Sequence, residues 1–345
     1  MKVAIIGGTG YGAVELIRFL QHHPHVEIAQ IISHSQAGAL FSDVYPHVNH
    51  IIDKPMDTLS VDDIVAQVEL VFFATPPSVS SRIVPQLLDA GVKCIDLSGD
   101  FRLNDPNQYQ AWYGSDTAEQ TYLDKAVYGL SEVYRDQIAN AQLIANPGCY
   151  PTATLLGLMP IVEQKLISPH SVIIDGKTGV SGAGRGTSLT VHFSEMNENT
   201  RAYKIGEHKH IPEIEQYLSE KSEQCYRVHF TPHIVPMTRG IMTTIYADLN
   251  QQVTQSELEA IYHYYYQEDH FVRMRTQGGM PATKEVYGSN YCDLGIFLDH
   301  RTQKLTIIAV IDNLVKGAAG QAVQNMNIMY GWDEQTGLAY LPVYP

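Results

Sequence analysis

This chain is poor in the features that mark several protein classes. It has four cysteines in 345 residues, far apart and with no CxxC pair, so it offers neither a disulfide framework nor a zinc site. That usage fits a reducing compartment. No apolar run approaches the ~18 residues of a membrane span. The first residues enter a strand pattern with no apolar signal core, so no secretory leader is expected and a cytoplasmic location is. Positive charge is scarce: 23 Lys and Arg stand against 37 Asp and Glu, a net charge of −14. This balance argues against nucleic acid or an anionic membrane as partner. It leaves a small anionic substrate open, because a few local cations suffice to line a cleft. No fixed-period repeat and no low-complexity segment is present. What remains is an ordinary globular composition, 44% hydrophobic and 17% charged, at a length that suits two domains.

The most informative stretch is Asn146-Pro147-Gly148-Cys149-Tyr150-Pro151-Thr152. Its pattern predicts a strand-to-helix turn with Cys149 at the helix start. Pro151 suits a first helical turn, where its missing N–H is unpaired anyway, and Gly148 frees the turn. A thiol there faces unpaired amides and the positive end of the helix dipole, which favour the thiolate. A buried structural cysteine is the bland alternative; Cys94 reads as core, and Cys225 and Cys292 as either core or idle, with no role assigned.

The chain opens with a buried-strand pattern, Lys2-Val3-Ala4-Ile5-Ile6. The loop Gly7-Gly8-Thr9-Gly10-Tyr11-Gly12-Ala13 follows, then an amphipathic helix and a second strand over 26–33. Strand, glycine loop, helix and strand within about 35 residues make the dinucleotide-binding context, with Ala13 where a third glycine often lies. The loop lets the backbone approach a pyrophosphate at the helix N-terminus. NAD sites usually carry Asp or Glu at the end of the second strand. Here Ile31-Ile32-Ser33-His34-Ser35-Gln36 has no carboxylate, so NADP is expected, with Ser33 and Ser35 near its 2′-phosphate. Strands at 70–74 and 92–97 continue the pattern. The second ends in Ser98-Gly99-Asp100-Phe101-Arg102, which places Ser98 and Arg102 at the ligand-binding edge of a parallel sheet. The strand at 143–145 brings Cys149 to the same edge.

The second half holds a strand at 172–175 and the loop Gly176-Lys177-Thr178-Gly179-Val180-Ser181-Gly182-Ala183-Gly184-Arg185. Its two cations suit anion binding, although such a loop is equally a mobile linker. His208-Lys209-His210 precedes a helix expected near Pro212, and histidine titrates where acid–base chemistry needs it. One histidine among fifteen is usually structural; two within three residues before a helix single out this loop. Arg239 precedes a strand over 241–249 and suits a carboxylate or phosphate. The tyrosine-rich stretch 261–266 reads as a packing face. A small-residue helix is expected after Asp312.

Taken in serial order, these motifs resemble the N-acetyl-γ-glutamyl-phosphate reductase family. The match runs through 7–16, 98–103, 146–152, 177–185, 208–214, Pro232-His233, Arg239-Gly240 and 312–327, nearly the whole chain. One departure is Ser131, where the family usually has proline. The resemblance implies an α/β protein: a Rossmann-type domain over 1–148 completed by 313–345, and an α+β domain with a mixed sheet over 149–312 that makes subunit contacts. It implies a homodimer or homotetramer that reduces an acyl phosphate with NADPH. It implies Cys149 as nucleophile through a thioester, His208 as acid/base with His210 in reserve, and a cofactor site of Gly7, Thr9, Gly10, Tyr11, Gly12, Ser33, Ser35 and Asn313. The expected substrate ligands are Ser98, Arg102, Asn146, Lys177, Arg185 and Arg239, with no metal. The nearest rivals share the chemistry: aspartate-semialdehyde dehydrogenase and a lysine-pathway reductase. A non-catalytic NADP sensor would not need the activated thiol, and a cysteine hydrolase would leave the dinucleotide loop unexplained.

Overall fold

The computed structural model describes residues 1–275 and 278–344, and it divides into two compact units. The first comprises residues 1–147 and 318–339, the second residues 148–317 and 340–345.

The first unit is built on six parallel strands: β1 (Lys2–Ile6), β2 (Glu27–Ile32), β3 (Leu70–Phe73), β4 (Lys93–Asp96), β5 (Ala126–Tyr128) and β6 (Leu143–Ala145). They lie in the order β2-β1-β3-β4-β6-β5. Runs such as Leu70-Val71-Phe72-Phe73 are buried throughout, as strands covered on both faces must be. Strand order reverses at β1, which pairs with β2 on one side and β3 on the other, so the crevice for a ligand lies beyond β1. Gly7 stands there. The helix Gly320–Met329 is buried over its whole length and is tied in by side-chain amides. Ser131, the departure from the family pattern, begins the helix Ser131–Ala139, a position that also tolerates proline. Its hydroxyl donates to Asn325 Oδ1 (2.7 Å) and accepts from Gln321 Nε2 (2.6 Å). The serine thus makes a bridge to the C-terminal helix that a proline could not.

The second unit has a mixed sheet of seven strands: β7 (Ile173–Thr178), β8 (Arg201–Ala202), β9 (His229–Ile234), β10 (Ile241–Asp248), β11 (Val272–Met274), β12 (Cys292–Asp299) and β13 (Lys304–Ile311), ordered β11-β12-β13-β10-β7-β9-β8. Alternation along β10 and β13 turns Ile245, Ile307 and Ala309 toward one face. The helix Cys149–Glu163 packs there, buried from Tyr150 to Val162. Gly157 permits the approach: a Cβ on it would stand 3.2 Å from Ile245 Cδ1. The expected tyrosine packing face is present, with the hydroxyls of Tyr262 and Tyr266 donating to Gly157 O and Leu156 O. On the opposite sheet face Ile173, Tyr246 and Phe297 remain exposed.

The unit boundary differs from the expected one. Gly148, residues 313–317 and residues 340–344 fall in the second unit: Asn313 bonds to Gly240 and Ser181, Gly317 lies against Cys149, and Val343 N–H donates to Tyr287 O.

Candidate active site

Cys149 is the first residue of its 15-residue helix and is half-buried. Gly148 occupies the cap in extended conformation (φ −67°, ψ 155°) with no capping side chain. Its N–H donates to Glu213 Oε1 at 2.8 Å, and its carbonyl accepts from the amide and the hydroxyl of Thr152, both at 2.9 Å. The turn is therefore pinned from both sides. Glu213 is fully buried and comes from the first turn of the helix His210–Ser222. Gly317 presses from another direction: a Cβ there would lie 2.8 Å from Cys149 Cβ. The amides of the first helical turn point away from the helix toward whatever Cys149 carries, which suits them to hold an oxyanion.

His208 and His210 lie together, ring centroids 4.6 Å apart, and both are buried. The His210 amide donates to His208 Nδ1 at 3.2 Å. A neutral His208 therefore carries its proton on Nε2, where the Tyr203 hydroxyl stands at 3.4 Å. Tyr150, next to Cys149, meets both imidazoles edge-on at 5.8 and 6.1 Å. Burial, then the charges of Lys204 and Lys209, push the His208 pKa down to about 3. Burial likewise raises the phenols of Tyr150 and Tyr203, and negative charge on Cys149 acts on both in the same direction.

The sign of the His208 shift makes a prediction. Unfolded, it protonates near 6.5; folded, only near 3. The unfolded chain binds the extra proton in that window, so stability falls as pH drops from 6.5 toward 3. Thermal midpoints should decline below pH 6.5, and His208→Gln should flatten part of that slope. An identical slope in the variant would mean that His208 is not held neutral.

The cations differ in their surroundings. Lys177 Nζ lies 2.7 Å from Asp175 Oδ2, and the same carboxylate stands 3.1 Å from His233 Nδ1. Arg185 is exposed, in the loop after a short 3₁₀ turn (Val180–Ala183). Arg239 is mostly buried, with Nη1 3.6 Å from Asp312 Oδ2.

The other expected ligands belong to the first unit. Arg102 Nε donates to Asn146 O (2.8 Å) and Nη2 to Leu97 O (2.9 Å). The Asn146 amide donates to Ala318 O and accepts from Asn325 Nδ2, both at 3.1 Å. Ser98 Oγ pairs with Ser80 Oγ at 2.9 Å. The geometry thus gathers Cys149, His208 and His210 in the second unit, while Ser98, Arg102 and Asn146 brace loops of the first. Asn313, expected at the cofactor, belongs to the second unit: its Oδ1 accepts from Gly240 N (2.8 Å) and its Nδ2 donates to Ser181 Oγ (3.0 Å).

The glycine loop fits a dinucleotide. Gly7 sits at φ +96°, and a Cβ on it would stand 2.4 Å from Ala74 O, so only glycine serves. The helix Tyr11–Leu20 starts at Gly10 with no capping side chain and no acidic residue in its first turn. Its first internal bond is Val14 N–H to Gly10 O, which leaves the amides of residues 11–13 at the helix start outside the helix's own bonding. That is the environment a pyrophosphate requires. Tyr45 steadies the loop by donating to Thr9 O at 3.0 Å. Ser33 is buried, its hydroxyl accepting from Gln36 N at 3.2 Å, and Ser35 is exposed.

Four residues of these sites escape the sequence reading: Glu213, Tyr203, Asp312 and Gly317. Glu213, Asp312 and Gly317 lie within the stretches 208–214 and 312–327, which do not reveal what each side chain or glycine touches.

The comparisons agree in both halves. A family model described as semialdehyde dehydrogenase, NAD binding domain, matches residues 2–141, and one described as semialdehyde dehydrogenase, dimerisation domain, matches residues 149–313. N-acetyl-gamma-glutamyl-phosphate reductase of Geobacillus sp. (strain WCH70) is 55% identical over 345 residues, all of both chains. The enzyme of that name from Bacillus subtilis (strain 168) is 50% identical, again over all of both chains. Among solved structures, aspartate semialdehyde dehydrogenase II of Vibrio cholerae superposes with a TM-score of 0.72 at 19% identity, covering 96% of this chain and 98% of that one. The Candida albicans aspartate semialdehyde dehydrogenase with NADP gives 0.71 at 16%, covering 95% and 98%. These structural likenesses speak to the fold alone.

Proposed function

Because the chain belongs to the N-acetyl-γ-glutamyl-phosphate reductase family, we propose that Cys149 is the nucleophile of that reaction and works through a thioester. The overall reaction is the NADPH-dependent reduction of N-acetyl-γ-glutamyl phosphate to N-acetylglutamate 5-semialdehyde, with release of phosphate, in arginine biosynthesis. The observation that carries the nucleophile assignment is the pinned helix start: a half-buried thiol at the first helical position, its turn held by a fully buried carboxylate.

The Cys149 sulfur attacks the acyl carbon; a C–S bond forms, the C–O bond to phosphate breaks, and phosphate departs. When bound, NADPH supplies the hydride that reduces this carbon. The carbonyl oxygen carries negative charge until the C–S bond breaks and the aldehyde leaves, and first-turn amides of the Cys149 helix are its donors. His208, neutral with its proton on Nε2, adds a hydrogen bond, and exchange of the thiol proton falls to His210. One proton from solvent is consumed per turnover and ends on the phosphate. Arg239 and Lys177 are our phosphate and carboxylate ligands, with the exposed Arg185 as a third. The cofactor's pyrophosphate rests on Gly7, Thr9, Gly10, Tyr11 and Gly12, and its 2′-phosphate on Ser33 and Ser35.

The test runs the reaction backward. With N-acetylglutamate semialdehyde, phosphate and NADP, absorbance of reduced nicotinamide should rise, dependent on phosphate and at least about tenfold faster than with NAD or with aspartate semialdehyde. Activity confined to aspartate semialdehyde would keep the chemistry and change the substrate. We also propose self-association through the open face of the second unit's sheet, where Ile173, Tyr246 and Phe297 are exposed in the region matching a dimerisation domain. Light scattering should give a dimer or tetramer mass; a monomer at micromolar concentration would overturn this. No helix among the described residues is long and apolar enough to cross a membrane, and we place the enzyme in the cytoplasm.

A further inference from the structure

Resting on the reading of Cys149 as nucleophile and Arg239 as phosphate ligand, we propose that Asp312 is a positioning residue, and that residues 312–317 act as a strut setting Arg239 in register with the thiol.

Asp312 is fully buried, and its carboxylate is shared among several groups. Oδ1 accepts from Leu314 N at 2.9 Å and Val315 N at 3.3 Å. Oδ2 accepts from Gly288 N at 2.8 Å and faces Arg239 Nη1 at 3.6 Å. The adjacent Asn313 grips the same loop through Gly240 N, one residue beyond Arg239, and through Ser181 reaches the glycine-rich loop. At its other end the strut winds into a π-turn (Val315–Ala319), and Gly317 N–H reaches back to Asp312 O at 3.0 Å. A π-turn is rare, costs regular helical bonding, and occurs mostly at functional sites. Here it delivers a residue without a Cβ against Cys149, at a distance that no side chain tolerates.

The arrangement has a mechanical consequence. A buried carboxylate bonded to several amides is rigid, so an arginine paired to it has a fixed direction. The same backbone segment fixes where the Cys149 Cβ lies. The anion's anchor and the attacking sulfur are then referenced to one short stretch of chain, and small misplacements of reacting groups are costly.

The test is a double-mutant cycle read as the KM for inorganic phosphate in the reverse reaction, with iodoacetamide alkylation of Cys149 as a second readout. Arg239→Ala and Asp312→Asn should each raise that KM by about tenfold, and the double variant should be no worse than Arg239→Ala alone. Gly317→Ala should slow alkylation by about tenfold while leaving the phosphate KM in place. A merely structural Asp312 would add its effect in full to that of Arg239→Ala, and this additivity would overturn the proposal. So would wild-type alkylation in Gly317→Ala. Should Asp312→Asn fail to fold, Asp312→Glu, which keeps the charge on a longer arm, is read in the same cycle. Wild-type phosphate KM in Arg239→Ala, or undiminished alkylation in Cys149→Ala, would instead take down the underlying reading, and the strut with it.

Discussion

Cys149→Ala should lower kcat by at least about 10⁴-fold while NADP(H) affinity changes less than about twofold. Removing the sulfur removes the covalent route, and hydride transfer to a thioester has no substitute when no thioester forms. What survives is catalysis by positioning and by the oxyanion donors. Cys149→Ser should be nearly as slow, since a hydroxyl ionises far less readily than a thiol at neutral pH. The intermediate can also be trapped. With N-acetylglutamate semialdehyde and NADP but no phosphate, the aldehyde should be oxidised onto the enzyme and stop there. Mass spectrometry should then find the acyl group on the peptide containing Cys149 and nowhere else. Residual turnover above about 1% in Cys149→Ala, or an adduct on another residue, would mean that the nucleophile is misassigned.

The turn that carries Cys149 was legible in sequence because its signals are local. Gly148, Pro151 and the apolar run behind them write a strand–turn–helix in consecutive residues, and the structure starts the helix at Cys149. The glycine loop is legible for the same reason: strand, turn and helix are contiguous, and Gly7 adopts the positive φ that only glycine supplies easily. Glu213 and Gly317 were not legible. Each touches the Cys149 turn across a long stretch of chain, and no periodicity marks a buried acid that accepts one amide or a glycine that clears one Cβ. Arg102 shows what else the fold adds to such a residue. A cation at the carboxyl edge of a parallel strand suggests a ligand, and its guanidinium also closes its own loop onto Leu97 O and Asn146 O, which the sequence does not reveal. The unit boundary near residue 313 turned on side chains as well: Asn313 belongs to the second unit because of what its amide bonds, which its place before a helix does not reveal.

The histidine pair illustrates the same limit, and its chemistry separates by substitution. Sequence offers two equivalent candidates, whereas the fold makes them unequal: the His210 amide occupies His208 Nδ1, and burial keeps that ring neutral. The position left for His208 to use is Nε2. Asparagine places an oxygen near Nδ1 and nothing near Nε2; glutamine extends to the Nε2 position with an N–H that donates but cannot exchange a proton. His208→Asn should therefore keep the loop and lower kcat by about 10²–10³-fold. His208→Gln should recover most of that loss, to within about tenfold of wild type, because the role is a hydrogen bond from a neutral ring. His210→Asn should cost less than His208→Asn, since water can replace a proton carrier more readily than a buried donor. With a pKa of about 3, His208 contributes no limb to the kcat profile between pH 5 and 9. If His208→Gln were as slow as His208→Asn, proton transfer would be the task of His208 after all; if His210→Asn were the slower of the two asparagine variants, the acid–base role would move to His210.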